Sequence, residues 1–329
     1  MRIINQNLFN YIYDELGATY KRDFDGVKTN LNNDREKNLQ YLGTYYPRSY
    51  AESYHIYSNI FDDVRIYNKF NEKDKIKILD IGSGTGGSLM GLLQVLNERF
   101  SFKEFEIVSI EGNSDAVNIQ NNLLEVFEDF IEFSFNTFRK SVHTIAFNDK
   151  NELDDKLSML SLKNNIDIMH SFKVVNEFYR NDYKRNKGLY KELLRLGDKW
   201  IRDSGILCLV DVTDRIENVN FISILFNEEV KEYLCTERTN LSYILPKCCS
   251  VNYNLCRNRN QCFSKISVYT EFDNCQVESK INYKLFIKGS LGEEIRNEIV
   301  ETWCNFDDCY CRGERSENCT KIYDTPYIL

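Results

Sequence analysis

The sequence predicts an α/β fold: a doubly wound parallel sheet with a helical N-terminal cap and a cysteine-rich C-terminal elaboration. Three observations predict it. From Ile76 onward, short apolar runs alternate with helix-compatible stretches, the pattern of parallel strands covered by helices. The first run, Lys77-Ile78-Leu79-Asp80-Ile81, breaks at once into Gly82-Ser83-Gly84-Thr85-Gly86-Gly87. The second, Phe105 to Ile110, ends in an acid, Glu111.

Each element follows from local pattern. Strands are expected at 76–81, 105–111, 141–147, 166–171 and 205–212, with helices at 87–99, 114–128, 150–160 and 180–202. Right-handed crossovers would put ligands at the carboxyl ends of the strands. Two later runs, Phe263 to Phe272 and Lys280 to Lys288, read as an antiparallel hairpin closing the sheet. The domain boundaries that result are a helical cap over 1–74, a ligand-binding core over 75–215 and a cysteine-containing insertion over 216–262. The hairpin then covers 263–290 and a cysteine-rich tail 291–329. Within the cap, Pro47 is expected to start or break a helix. The tyrosines around it and Arg48 either face a pocket or pack on the core.

Composition narrows the class. The chain has 329 residues, 42% hydrophobic and 28% charged, enough for a large core in one or two domains. No apolar run approaches the ~20 residues of a membrane span, and Met1 to Tyr20 lacks an apolar signal region. A cytoplasmic protein is expected. The net charge of −8 argues against broad contact with naked nucleic acid, where phosphate neutralisation supplies much of the affinity.

The 11 cysteines are many for such a compartment. Where disulfides are disfavoured, clustered cysteines point to metal or redox chemistry. Cys248, Cys249, Cys256 and Cys262 form one group; Cys304, Cys309, Cys311 and Cys319 form another. Four thiolates suffice for a structural zinc or an iron–sulfur cluster. Neither group contains a C-x-x-C pair, so reduced, unliganded thiols are the competing reading. The C-x-x-x-C-x-x-C run of radical enzymes is absent.

The glycine loop carries the chemistry. Glycines let backbone N–H groups approach a ligand, and a helix start favours negative charge. An acid closing the second strand can accept from ribose hydroxyls. A bare glycine turn in some other α/β protein is the competing reading. The spacing is G-x-G-x-G-G after Asp80, not the G-x-G-x-x-G of dinucleotide sites. It resembles motif I, D-x-G-x-G-x-G, of the class I S-adenosylmethionine (SAM) dependent methyltransferases, whose sheet is Rossmann-like. The resemblance implies that Asp80, Gly82, Ser83, Gly84 and Gly86 line the methionine end of SAM and that Glu111 holds the ribose. It implies that Asn148 or Asp149, after the third strand, meets the adenine amine.

The segment after the fourth strand, His170-Ser171-Phe172-Lys173-Val174-Val175-Asn176-Glu177, would then lie beside the transferred methyl group. Asn176 is a candidate to orient an acceptor amine, Glu177 a candidate base and His170 a third catalytic candidate. The competing reading is that Asn176 and Glu177 cap the next helix and that His170 is structural. The N-P-P-Y and D-P-P-Y tetrads of exocyclic-amine methylation are absent, as is a P-C nucleophile motif.

Several pieces also resemble the Rsm-type proteins associated with the small ribosomal subunit. They run from Tyr41-Leu42 with Pro47, Tyr50 and Ala51, through Leu79 to Gly86 and Ser171 to Glu177, to Gly205–Val212, Pro246-Lys247-Cys248 and Trp303-Cys304-Asn305-Phe306. The family's C-P-H-x-x-x-C-P motif is missing, and its Trp-Cys element precedes the last strand rather than following it. This resemblance implies RNA or a ribonucleoprotein as methyl acceptor. A small-molecule or protein acceptor is the alternative, and a non-catalytic SAM-binding assembly factor is a further one.

Overall fold

A computed structural model of the chain describes residues 4–21, 30–100, 104–130, 137–147, 149–160, 165–253, 264–270, 275–303 and 321–328. The chain divides into two compact units: residues 1–146 with 266–279 and 324–329, and residues 147–265 with 280–323. Strands and helices alternate in both, as expected of an α/β fold. Among the described residues, no helix is long and apolar enough to cross a membrane.

In the first unit, helices α1 (Gln6–Asn10), α2 (Arg35–Ile60) and α3 (Val64–Asn71) precede strand β1 (Lys75–Ile81). Then come α4 (Gly87–Arg99), β2 (Glu104–Glu111), α5 (Ser114–Phe130) and β3 (Thr137–Thr144). β2 pairs in parallel with both β1 and β3. Side chains alternate across a strand, so a sheet covered on both faces needs near-continuous apolar strands. β1 meets this: Ile76, Ile78, Leu79 and Ile81 are all fully buried. β3 begins and ends earlier than the expected 141–147, because its register runs from Glu104↔Thr137 to Glu111↔Thr144.

Pro47 neither starts nor breaks a helix; it lies inside α2. Proline has no N–H, so the carbonyl four residues back loses its helical donor. That carbonyl belongs to Gly43, and it accepts from the Tyr13 hydroxyl at 2.6 Å. The same stretch admits a close approach: a Cβ on Gly43 would lie 2.5 Å from the Thr19 carbonyl oxygen.

α2 crosses α4 at two glycines one helical turn apart. A Cβ on Gly87 would lie 2.9 Å from the Tyr46 carbonyl oxygen, and one on Gly91 2.2 Å from that of Tyr50. Small residues spaced i, i+4 on one face let two backbones nearly touch. The crossing holds α2 over the start of α4, directly after the glycine loop. At the other end of the helices, Phe61 packs edge-on against Phe70 and Phe100, each at 5.1 Å between centroids.

In the second unit, α6 (Lys150–Ser158) precedes β4 (Ile166–Phe172), α7 (Val175–Asn186), α8 (Leu189–Trp200) and β5 (Ile201–Val212). α9 (Ile222–Thr236), β6 (Leu241–Leu245) and α10 (Lys247–Asn252) follow. β8 (Cys275–Lys288) and α11 (Ser290–Trp303) come next; β7 (Ser264–Thr270) and β9 (Lys321–Ile328) lie largely in the first unit. β4 pairs in parallel with β5, and β8 pairs antiparallel with both β5 and β6.

The single helix expected over 180–202 is two helices. Gly188, at φ +95°, caps the start of α8 in the left-handed region. Glu229 of α9 stabilises the corner. Its carboxylate accepts from the Gly188 N–H at 2.8 Å, the Tyr190 N–H at 3.1 Å and the Tyr179 hydroxyl at 2.5 Å. An acid there satisfies donors that a helix start leaves unmatched and meets the positive end of the helix dipole.

Candidate functional site

The glycine loop extends the β1–β2 pairing by one step. The N–H groups of Gly82 and Ser83 both donate to the Ile110 carbonyl, at 2.8 and 3.2 Å. The chain then turns, with Gly86 N–H donating to the Ser83 carbonyl at 2.9 Å. Gly82, Gly84 and Gly86 have φ of +70°, +55° and +88°. A Cβ on Gly84 would meet nothing within 4 Å, whereas one on Gly86 would lie 2.9 Å from Gln120 Cγ. Gly84 therefore leaves open space beside bare backbone, and Gly86 is packed from below.

Gln120 of α5 is the support. Its side-chain carbonyl accepts from Ser83 Oγ at 2.7 Å, and its Nε2 donates to Ser109 Oγ at 3.1 Å. Gln120 is fully buried. Its signal in the sequence is a polar residue within the apolar stripe Ala116, Gln120, Leu123, Leu124 and Phe127.

Glu111, closing β2, lies across the loop. Its Oε2 accepts from Gly84 N–H and its Oε1 from Asn113 N–H, both at 2.9 Å. Burial pushes its carboxyl up; the N–H groups of Asn113, Gly84 and Gly112 pull it down, and the nearby Asp80 adds to the rise. Asp80 is fully buried on β1, opposite Ser109 in the register. The structure thus brings together Asp80, Gly82, Ser83, Gly84, Gly86 and Glu111.

The residues present fit the end of a SAM molecule. The space over Gly84 admits a chain that a side chain would exclude, the start of α4 adds a field favouring a carboxylate, and Glu111 offers acceptor oxygens beside it. On this arrangement Gly84 and Gly86 would face the methionine part and Glu111 the ribose hydroxyls.

The remaining candidates lie in the second unit, apart from Asn148, which lies outside the described residues. Asp149 caps α6: its Oδ1 accepts from the N–H groups of Asn151 at 2.9 Å and Glu152 at 3.3 Å. Its Oδ2 accepts from Arg185 Nε and Nη2 at 2.9 and 2.7 Å. The Arg185 guanidinium holds this carboxyl below its ordinary range. His170 lies within β4, fully buried, with its ring 5.2 Å from that of Phe172.

Asn176 begins α7. Its Nδ2 donates to the Lys173 carbonyl at 2.5 Å and its N–H to Asp211 Oδ2 at 3.1 Å. Glu177 sits in the first turn of the same helix. Asp211 has no counterpart among the sequence candidates. It also accepts from Tyr190 Oη at 2.8 Å, and burial raises its carboxyl to about 6. Its signal was an acid inside the apolar strand Leu207–Val212.

The zinc or iron–sulfur site expected on Cys248, Cys249, Cys256 and Cys262 is not supported. Cys256 and Cys262 lie outside the described residues, as do the second group's Cys304, Cys309, Cys311 and Cys319. Among the described residues, no group of three or more His, Cys, Asp or Glu side chains could hold a metal.

No family model matches this chain, and no curated protein matches its sequence. Solved structures do. The plantazolicin methyltransferase BpumL, in complex with SAH, is 11% identical over 86% of this chain and 100% of its own, with a TM-score of 0.41. The precorrin-6y C5,15-methyltransferase of Geobacter metallireducens is 12% identical over 69% of this chain and 87% of its own, with a TM-score of 0.36. The cyclase SpnF is 13% identical over 55% of this chain and 57% of its own, at 0.30. Likenesses at this level carry no argument about activity. The case for the site rests on the loop and Glu111.

Proposed function

We propose that this chain is a SAM-dependent methyltransferase. One observation carries the reading: Gly84, in the left-handed region with open space above it, donates its N–H to Glu111 at 2.9 Å. A cradle free of side chains and a ribose-competent acid are thereby fixed side by side. When bound, SAM supplies a methyl group activated by its sulfonium for in-line displacement. The protein's part is to bind and orient. Gly84 keeps the cradle open, Gln120 packs beneath Gly86, and Glu111 accepts from the ribose. The acceptor class follows the Rsm-type resemblance, with RNA or a ribonucleoprotein first and a small molecule or protein next.

The test is transfer of labelled methyl from SAM to small-subunit RNA, to protein and to small-molecule fractions, alongside calorimetric binding of SAM. Binding with transfer to any fraction supports the reading. Absence of binding overturns it.

A second reading is favoured by Asn176. Its side-chain amide donates to the Lys173 carbonyl and its N–H to Asp211, which ties the side chain to neighbouring backbone rather than holding it toward an acceptor. The second reading is a SAM-binding protein without transfer. It predicts binding with no labelled product, and a function in the cell that survives Asn176→Ala and Glu177→Ala.

A further inference from the structure

We propose that the groove beside α8 is a channel for the phosphodiester backbone of single-stranded RNA. This deepens the reading above by giving its first-named acceptor a place to bind, and it rests on that reading for the choice of RNA. The groove is open, holds about 550 Å³ and lies wholly within the second unit, among α6, α8 and the end of α9. Five cations line it, Lys150, Lys191, Arg195, Lys199 and Arg238, against three carboxylates, Glu192, Asp198 and Glu237. The chain as a whole carries −8, so the excess of positive charge here is local. A basic stripe along one helix is the electrostatic mark of a nucleic-acid contact.

Spacing gives the shape of the ligand. Lys191, Arg195 and Lys199 recur every four residues along α8. Four residues of helix rise about 6 Å, and positions four apart share a face, so these cations stand in a row, one turn apart. Lys150 extends the row past the start of the helix. A Cβ on Gly188 would lie 3.3 Å from Lys150 Nζ and 3.5 Å from Lys191 Cε, so two lysine side chains meet over a residue that has none. Like charges that close repel, and an anion between them offsets the repulsion. A compact phosphate would need its donors gathered about one point. Donors set out in a line suit a strand whose phosphates follow one another.

The carboxylates leave these cations usable. Lys191 pairs with Glu232 at 2.8 Å, Arg195 and Lys199 each pair with Asp154 at 2.9 Å, and Arg195 also pairs with Glu192 at 2.5 Å. The side chains of Lys191, Arg195 and Lys199 are nonetheless 35%, 46% and 34% exposed. Ion pairs open to water to that degree contribute little stability, and each cation keeps N–H groups that its acid does not use. The pairs hold long, mobile side chains along the groove, so a strand meets them already placed. The Asp198 carboxylate accepts from the Asn240 N–H at 3.2 Å.

The experiment measures fluorescence anisotropy of a labelled oligouridylate with the full chain over a series of salt concentrations. Wild type is compared with Lys150→Gln/Lys191→Gln/Arg238→Gln, and SAH binding is followed by calorimetry on the same samples. Wild type should bind the strand, with affinity falling as salt rises. The triple variant loses three phosphate contacts. Its affinity in low salt should drop on the order of tenfold or more, and its slope of log affinity against log salt should shrink by about 2, with SAH binding unchanged. Removing the same charge from exposed cations of the first unit, in Lys69→Gln/Arg99→Gln/Arg139→Gln, should leave strand binding as in wild type. Equal weakening by both triple variants, or by neither, overturns the channel. So does UMP that competes as strongly as the strand itself. SAH binding without strand binding overturns the channel and leaves the methyltransferase reading with its other acceptors. Absence of SAH binding overturns the methyltransferase reading whatever the strand does.

Discussion

Tyr13 donates its hydroxyl to the carbonyl of Gly43 at 2.6 Å, the acceptor that Pro47 leaves without a helical partner. The cap helix can therefore run unbroken through a proline and still cross the start of α4. Tyr13→Phe should destabilise the chain by about 1–2 kcal/mol, the cost of a part-buried acceptor left unmatched. Pro47→Ala restores an N–H at that point. It should recover more stability in the Tyr13→Phe background than in wild type. A double-mutant cycle by urea denaturation measures the coupling, and additive effects would remove this explanation of the intact helix.

Gly84 and Gly86 separate ligand binding from stability. Both have positive φ, and a non-glycine residue in that region costs about 1–2 kcal/mol. Gly84→Ala meets nothing else within 4 Å. Its methyl would stand in the space assigned to the methionine, so SAH binding should fall at least a hundredfold with little further loss of stability. Gly86→Ala drives into Gln120 and should cost a further 1–3 kcal/mol or so. Thermal melting and calorimetry on the two variants give the comparison.

Two buried groups pull stability in opposite directions with pH. Burial lowers His55 to about 4 and raises Asp211 to about 6. His55 remains neutral in the folded chain while the unfolded chain takes up a proton, so its contribution is lost as pH falls from 6.5 toward 4. Asp211 holds its proton in the folded chain, so its contribution is lost as pH rises from 3.8 toward 6. Each is worth on the order of 3 kcal/mol at most, and the windows overlap. Urea midpoints between pH 4 and 7 should rise more steeply with pH in Asp211→Asn than in wild type. In His55→Gln they should rise less steeply or fall. Slopes unchanged from wild type in both variants would contradict the assignment.

Glu229→Ala should be costly. It strands the Gly188 and Tyr190 N–H groups and the Tyr179 hydroxyl, all of which donate to it in the buried corner. A loss of about 2–4 kcal/mol is expected, read from the urea midpoint. Tyr179→Phe, which removes one of the three donors, should cost less.

The first unit was largely legible in the sequence around its loop. An apolar run broken by glycines marks a strand end by composition alone, and the helix expected at 87–99 is α4 at Gly87–Arg99. β2 and α5 begin within a residue of expectation for the same reason. Pro47 misled because local chemistry forbids what a distant hydroxyl permits; Tyr13 lies 30 residues before the Gly43 carbonyl it serves. Gly188 was read through because the helical pattern resumes at once in Leu189, and the acid that stabilises the break is on α9. Asp149 and Asn176 show the same limit at the candidate site. Their types suit ligand contact, yet Arg185 and Lys173 decide what their side chains face. Gln120, Asn113 and Asp211 became visible only when their partners on other elements were in place.

Calorimetric titration of SAM into wild type and Glu111→Ala tests the central claim most directly. The account predicts saturable one-to-one binding by wild type and a loss of at least a hundredfold in Glu111→Ala, with the variant still folded. Binding of equal strength by both proteins, or by neither, would contradict it.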